Sequence, residues 1–538
     1  MLVFSFIGYT SIEMPVAGKT VIDVALVSEL KNLDEIVVVG YGTQKKTSVT
    51  GSVSSVKGEL VAKTPVPNIS NSIAGNVAGV TMRPNGGQPG YDNPEIFIRG
   101  IGTTGDNNAP LVIIDGFRRN NISQLDPSSI ESISILKDAA AVAPYGLGGA
   151  NGVILITTKK GVTGAPTLSF NTYYGWQTPT YYPDLLSAKD YMKLKNEAYL
   201  NANPGAPDAE LPFLPSVVND YDNLHAQDPD RYPDSRAKDL VNMVAPVQNY
   251  NLQLTGGTEK MKYFAGLGYF KQEGLFDQVN YSRFNYNINL ESKVTKTTTV
   301  AFSVISSMER RNLLDPSEDA VHMFRSAYKY LPIHNLYYTN GLWGQSSGNA
   351  PAAVLNAGGW DKRDLNTVLS SISIEQQLPF IKGLSIKGAI SYDSNSGFQK
   401  GWHTPWYYWV QDLSTTPYTY ERRINPREGG DAPTYTFLTQ QNGRGQALTL
   451  QGYVNYQRSI GKHEFTGLFV AEGRESQSSY IMARRNNYVV SIDEIDMGSS
   501  DKNDFDNGGT SSNGTQIGYV YRLGYVYNGK YMVEASGR

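Results

Sequence analysis

The sequence predicts a mainly β protein: part of a transmembrane antiparallel β-barrel, preceded by an α/β domain and the tail of a small β domain. Three observations predict it. Beyond Gly164 the chain repeats stretches in which apolar and polar residues alternate one for one. The connections between those stretches are short and long by turns. No apolar run approaches the about 20 residues that a spanning helix takes, so strands and not helices would cross a bilayer.

Composition agrees and excludes several classes. The 538 residues include 53 Gly, 36 Tyr, 18 Phe and 6 Trp, a mixture that favours strands and turns. Lys plus Arg is 47 and Asp plus Glu is 50, a net charge of -3 with no basic run, so nothing points to nucleic acid. There is no Cys, which excludes a disulfide framework, an iron–sulfur cluster, a Cys-ligated zinc and a Cys nucleophile. His225, His322, His334, His403 and His463 show no ligand spacing, so no metal is expected. No nucleophile elbow or phosphate loop occurs, and no cofactor, catalytic residue or enzymatic activity is expected.

The elements follow in order. Residues 1–30 open on the alternating Leu2-Val3-Phe4-Ser5-Phe6-Ile7, with a second strand pattern at Thr20–Leu26, and read as the end of a small β domain. No basic leader precedes the first strand, and another strand pattern runs to Arg538, so the chain reads as a fragment of a longer protein. Residues 31–47 hold an extended β-branched run, Leu33–Val39, and then a Gly-interrupted polar linker. Residues 48–162 mix short strands, such as Glu95–Arg99, Leu111–Asp115 and Gly152–Thr158, with helix-like pieces. Pro127–Ala141 is one of these, because Ile130, Ile133 and Leu136 fall at helical spacing after Asp126.

Residues 163–538 carry the barrel pattern. In Arg283–Leu290 the residues Phe284, Tyr286, Ile288 and Leu290 share one face, and Arg283, Asn285, Asn287 and Asn289 share the other. Similar stretches are Leu168–Trp176, Val247–Thr255, Met261–Phe270, Thr298–Ser306, Thr367–Glu375, Leu384–Tyr392, Leu448–Tyr456, Glu464–Ala471, Ile517–Tyr527 and one from Tyr531, making about eleven strands. Short turns recur at Gly256–Lys260, Glu291–Lys296, Pro379–Gly383, Ser459–His463 and Asn528–Lys530. Longer connections separate them: Trp176–Pro246 with a helix-like Ser187–Tyr199, Lys271–Asn280, Ser307–Asn366, Asp393–Gln446 and Glu472–Gln516. A soluble sandwich also has period-2 strands, but not this parity of turns. About ten residues at about 3.3 Å rise, tilted about 45°, cover the roughly 25 Å apolar band of such a barrel. Eleven antiparallel strands cannot close an even-numbered barrel, so further strands are expected.

The motifs carry a family resemblance. Leu33-Asp34-Glu35-Ile36-Val37-Val38-Val39-Gly40-Tyr41-Gly42-Thr43-Gln44-Lys45-Lys46 resembles the segment that opens SusC/RagA-type TonB-dependent outer-membrane transporters. Ile73-Ala74-Gly75-Asn76-Val77-Ala78-Gly79-Val80, Ile96–Gly102, Pro110–Gly116, Asp126–Ala140 and Gly149–Lys159 resemble the plug signatures of that family, in order. Leu147-Gly148 departs from it, because a Ser-Arg pair usually stands there. The resemblance implies a plug over 48–162, a carboxypeptidase-regulatory-like domain ending in 1–30, and a barrel of the 22-stranded class with a plugged lumen. It implies location in the outer membrane of a Gram-negative, Bacteroidota-like cell, among its lipids. It makes Leu33, Asp34, Glu35, Ile36, Val37, Val38 and Val39 the TonB box, captured by TonB and its proton-driven inner-membrane motor through strand-edge pairing. The implied function is energised import of an oligosaccharide or peptide, with a SusD-type surface lipoprotein as lid. The rival readings are a receptor that chiefly signals and a secreted carbohydrate-binding β protein.

Three further features admit a functional and a structural reading. Gly146–Gly152 lacks the third glycine of a dinucleotide loop and reads as a tight turn. Arg99 and Asp115 read as structural residues inside the plug rather than an ion pair to the barrel. Trp402, Trp406, Tyr407, Tyr408 and Trp409 form an aromatic-dense loop whose rings could stack on a sugar or pack the loop, and the loop is expected on the outer side.

Overall fold

The computed structural model describes residues 2–4, 12–14, 24–26, 36–45, 51–64, 66, 68–73, 75–102, 108–316, 320–424 and 433–538. β1 (Leu2–Phe4) and β2 (Ile12–Met14) form a small antiparallel pair. Most of Thr20–Leu26 lies outside the described residues. β3 (Ile36–Val39) and β4 (Gly42–Lys45) form a hairpin whose turn is Gly40-Tyr41, with Tyr41 in the left-handed region at φ 58°.

The next region is an α/β unit. It contains β5 (Val53–Lys57), α1 (Gly58–Lys63), α2 (Ile69–Ile73), the hairpin of β6 (Val80–Arg83) and β7 (Glu95–Ile98), then β8 (Leu111–Ile114), β9 (Phe117–Arg119), β10 (Ile130–Leu136), α3 (Ala139–Val142) and β11 (Val153–Thr158). Five strands make one sheet in the order β5-β10-β11-β8-β9. Its core is Ile69, Ile73, Ile133, Ile135, Ile154 and Ile156, all buried. The helix expected over Pro127–Ala141 is instead a 3-10 turn at Pro127–Ser129, capped by Asp126, and then the central strand β10. Ile133 and Ile135 sit two apart on one buried face, and β10 pairs with β5 on one side and β11 on the other. A β-branched run paired on both edges gains two ladders, and that tertiary pairing overrides the helical spacing of Ile130, Ile133 and Leu136.

The remaining chain forms one eleven-stranded antiparallel sheet. Its strands are β12 (Gly164–Gln177), β13 (Ala245–Gly257), β14 (Met261–Glu273), β15 (Asn280–Lys293), β16 (Thr298–Leu313), β17 (Trp360–Gln377) and β18 (Leu384–His403). A hairpin outside the sheet, β19 (Tyr407–Asp412) with β20 (Thr419–Ile424), precedes β21 (Phe437–Ile460), β22 (His463–Asn486), β23 (Phe505–Tyr527) and β24 (Tyr531–Gly537). β12 and β24 are the sheet's edges. α4 (Ala188–Ala202), N-capped by Ser187, and α5 (Pro215–Gln227) fold in the β12–β13 connection; α6 (Ala320–Lys329) and α7 (Pro351–Asn356) fold in the β16–β17 connection. Among the described residues no helix is long and apolar enough to cross a membrane.

The strands run further than hydropathy alternation does. β21 and β22 have 24 residues each and β23 has 23, so most of the connection read as Glu472–Gln516 is strand. Glu475 opposes Thr515, Gln477 opposes Asn513 and Ser479 opposes Ser511. These outward pairs are polar, so the apolar/polar signal fades while the backbone ladder continues. The connection read as Lys271–Asn280 is also a tight turn, closed by Gly274 N–H on the Val279 carbonyl at 2.7 Å.

Candidate gating interface between plug and barrel

The polarity of β15 defines what lies on each side of the wall. Arg283, Asn285, Asn287 and Asn289 are buried, while Phe284 and Ile288 are 40% and 39% exposed. The outward face continues along one hydrogen-bonded row through Phe302, Ile372, Ile390 and Leu450, all exposed. An exposed apolar belt of that extent around a polar interior is the inverse of a water-soluble fold and matches a lipid-facing barrel.

The buried polar face holds the α/β unit inside the curve of the sheet. Arg283 donates to the Ser123 carbonyl at 2.7 Å, and the Asn285 amide donates to the Gln124 carbonyl at 2.8 Å. Asn289 donates to the Lys159 carbonyl at 2.8 Å, and Gln253 of β13 donates to the Ser128 carbonyl at 2.9 Å. Each supplies a donor to a loop carbonyl that burial would otherwise leave unpaired, worth about 1 kcal/mol net apiece. The buried Arg119 of β9 meets Asp393 of β18 with two contacts of 3.2 Å.

The β3–β4 hairpin is held by the other end of the sheet. Arg522 of β23 donates to the Gly40 carbonyl at 2.9 Å, and Gln44 donates to Glu534 of β24 at 2.9 Å. The Tyr41 hydroxyl donates to Glu472 of β22 at 3.2 Å and accepts from Arg538 at 2.9 Å. Its ring stacks on Tyr145 at 5.2 Å. Burial, with the Glu472 carboxylate beside it, raises the Tyr41 pKa, so the phenol remains a donor. Val39 is buried, while Leu33, Asp34 and Glu35 lie outside the described residues.

Residues 45–153 match the family model for the TonB-dependent receptor plug domain. TonB-dependent receptor P26 of Formosa agariphila is 35% identical over 350 residues, which are 64% of this chain and 33% of that protein. SusC of Bacteroides thetaiotaomicron is 26% identical over 86% of this chain and 45% of its own length. The RagAB peptide importer in its open-open state superposes with a TM-score of 0.75 at 21% identity, covering 93% of this chain and 56% of that one. In sequence and in fold the chain is similar to TonB-dependent receptors of SusC/RagA type. It spans less than half of the two curated relatives described. Receptors of this type are outer-membrane β-barrel proteins, so the α/β unit is the plug.

Within the plug, the motif residues hold the plug to itself. Lys137 donates to Ser54 at 2.6 Å and to the Ala78 carbonyl, and Asp138 accepts from the Ser52 N–H at 2.6 Å and from Arg99. The Ser52 N–H, and then Arg99, hold the Asp138 carboxyl below the usual carboxylate range. Arg99 therefore pairs with Asp138 and not with Asp115, which accepts from Thr158 N–H and hydroxyl at 3.0 and 2.8 Å. Gly152 adopts φ 88°, and a Cβ there would lie 2.6 Å from Ile98, so the turn at Gly146–Gly152 requires that glycine.

The aromatic loop lies at the end of β18 opposite the short turns. Trp402 is buried and meets Tyr488 edge-on at 4.8 Å. Trp406 is buried in a cluster with Phe276, Leu314 and Met323. Trp409 meets Trp343 edge-on at 4.7 Å, the Trp343 indole donates to the Tyr407 carbonyl at 2.5 Å, and Arg422 covers the Tyr407 ring. Tyr407, Tyr408 and Trp409 are half-buried. The residues that sequence reasoning did not single out are Glu472, Arg522, Glu534 and Arg538. Their signal is a charge on the polar face of a strand whose other face is apolar, and it names no partner.

Proposed function

We propose that the full-length protein is an importer that moves an oligosaccharide across the outer membrane, driven by TonB. The observation that carries this reading is the polar, buried face of β13 and β15 hydrogen-bonded to plug loops: a wet lumen stoppered by a separately folded unit. Leu33–Val39 serve as the TonB box, with Ile36–Val39 in the hairpin held by Arg522, Glu472 and Glu534. A ligand arriving from outside loosens that hold, and TonB pairs with the freed strand edge and pulls. A SusD-type lipoprotein lids the outer loops. Tyr407, Tyr408 and Trp409 are the proposed sugar-stacking rings, with Trp402 and Trp406 supporting them from below. A peptide is the second reading for the ligand, because the structurally similar RagAB is named a peptide importer.

The test removes residues 34–39 from the full-length protein in its own outer membrane. Uptake of radiolabelled oligosaccharide and peptide mixtures by cells is then compared with their binding. Uptake should be abolished and binding kept. Unchanged uptake refutes the mechanism, and uptake of the peptides alone selects the second ligand.

A further inference from the structure

The plug does not touch the wall evenly, and the unevenness follows one strand. The inward residues of β16, taken from its outer end, are Arg311, Glu309, Ser307, Ile305, Ser303 and Ala301. Arg311 and Glu309, with Tyr281 and Arg283 of β15 and Tyr91 and Asp92 of the plug, line a cavity of about 240 Å³ on the outer side. Ser303 and Ala301, with Ser371 and Ser373 of β17, line a second cavity of about 270 Å³ on the side of the short turns. Val39 and Tyr41 of the hairpin and Lys160 of the plug face this second cavity from the other side. Between the two cavities stand Ile305 and Leu369, 5% and 6% exposed, directly opposite each other across β16 and β17. Both pack into the plug core.

The bonding differs on the two sides of β15. Gln253, Arg283, Asn285 and Asn289 of β13 and β15 bind plug carbonyls directly. On β17 the tie to the plug is at the outer end, where Arg363 donates to the Tyr91 hydroxyl at 2.8 Å; below it, among the described residues, no hydrogen bond or ion pair ties Ser303, Ser371 or Ser373 to the plug. Side-chain to carbonyl bonds hold one geometry. An apolar contact such as Ile305 and Leu369 has no preferred direction and can slide or part without leaving an unpaired polar group.

From this we infer that the import path runs along the inner face of β16 and β17. It leads from the outer polar cavity, past an apolar constriction at Ile305 and Leu369, into the inner cavity beside the hairpin, where Ser303, Ser371 and Ser373 line the wall side. The β13–β15 wall stays bonded to the plug throughout. Withdrawal of Val39 and Tyr41 would widen the inner cavity first, which places the opening where the pull acts. The polar groups at both ends suit a ligand rich in hydroxyl or amide groups. The inference rests on the import reading above.

Cysteine labelling tests it, because a thiol introduced into these 538 residues is alone there. Thr255, Phe264, Asn289, Ser303 and Ser371 lie on one hydrogen-bonded row across β13 to β17. Ser303→Cys, Ser371→Cys and Thr255→Cys are placed singly in the full-length protein in intact cells. A membrane-impermeant maleimide is added outside, with and without a protonophore, and labelling is mapped by peptide mass spectrometry. Energised cells should label Ser303→Cys and Ser371→Cys several-fold faster than de-energised ones, while Thr255→Cys keeps its de-energised rate. Adding Ile305→Ala and Leu369→Ala should raise de-energised labelling at Ser303→Cys. An equal gain in all three positions, or one confined to Thr255→Cys, overturns the path and leaves the import reading standing. No gain on energisation anywhere overturns both.

Discussion

The plug and the wall around it use opposite polarities for the same purpose. In the plug sheet Ile133, Ile135 and Ile154 are fully buried in an apolar core. In β15 the asparagines and Arg283 are buried and Phe284 and Ile288 face out. Each side chain goes where its surroundings leave it satisfied. The plug core is dry on the inside, whereas the wall has hydrocarbon on one face and plug carbonyls on the other. The comparison teaches that period-2 alternation reports two unlike faces and not which of them is inside.

Charge placed on each side should break the comparison by different amounts. Ile133→Asp puts an unpaired carboxylate in the plug core and is expected to cost more than about 4 kcal/mol. The measurement is protease sensitivity of the plug in folded barrels, with intact protection counting against it. Ile390→Lys puts an ammonium on the lipid face, which costs about 2–4 kcal/mol near the midplane. Its check is the urea midpoint of the barrel refolded in lipid, read by heat-modifiable migration. Asn289→Leu would be harmless on the outer face, but in the lumen it strips the Lys159 carbonyl of its donor. That should cost about 1–3 kcal/mol in plug retention and leave the barrel's own midpoint unchanged.

The smallest effect sharpens the plug side through pH. Asp138 has a folded pKa held below its ordinary value, so its contribution is present above about pH 3.9 and is lost as pH falls from there through the lower folded value. Asp138→Asn should lower plug stability at pH 7, flatten its acid limb below about pH 4, and converge with the unsubstituted protein in strong acid. An unaltered acid limb would remove Asp138 from the account.

Some of this was legible and some was not, for reasons that can be named. The faces of Arg283–Leu290, the Ser187 cap and the short turns need only neighbouring residues, and they stand where the sequence places them. The strand Ile130–Leu136 is not legible locally because its pairing partners lie far off in the chain, at Val53–Lys57 and Val153–Thr158. The outer halves of β22 and β23 are not legible because pairs such as Glu475–Thr515, Gln477–Asn513 and Ser479–Ser511 are polar on the outward face and the alternating signal fades.

By itself, then, the sequence determined the alternating faces, the order of plug before barrel and the motifs that belong to this family. Those properties are carried by adjacent residues and by backbone geometry. Only the tertiary structure decided that Arg99 meets Asp138, that Tyr41 reaches Glu472, and that plug carbonyls are bonded to β13 and β15 while Ile305 and Leu369 of β16 and β17 pack on the plug core. The physical reason is distance along the chain. A hydrogen bond is indifferent to how many residues separate its ends, so its partner is chosen by the closed fold and not by local pattern.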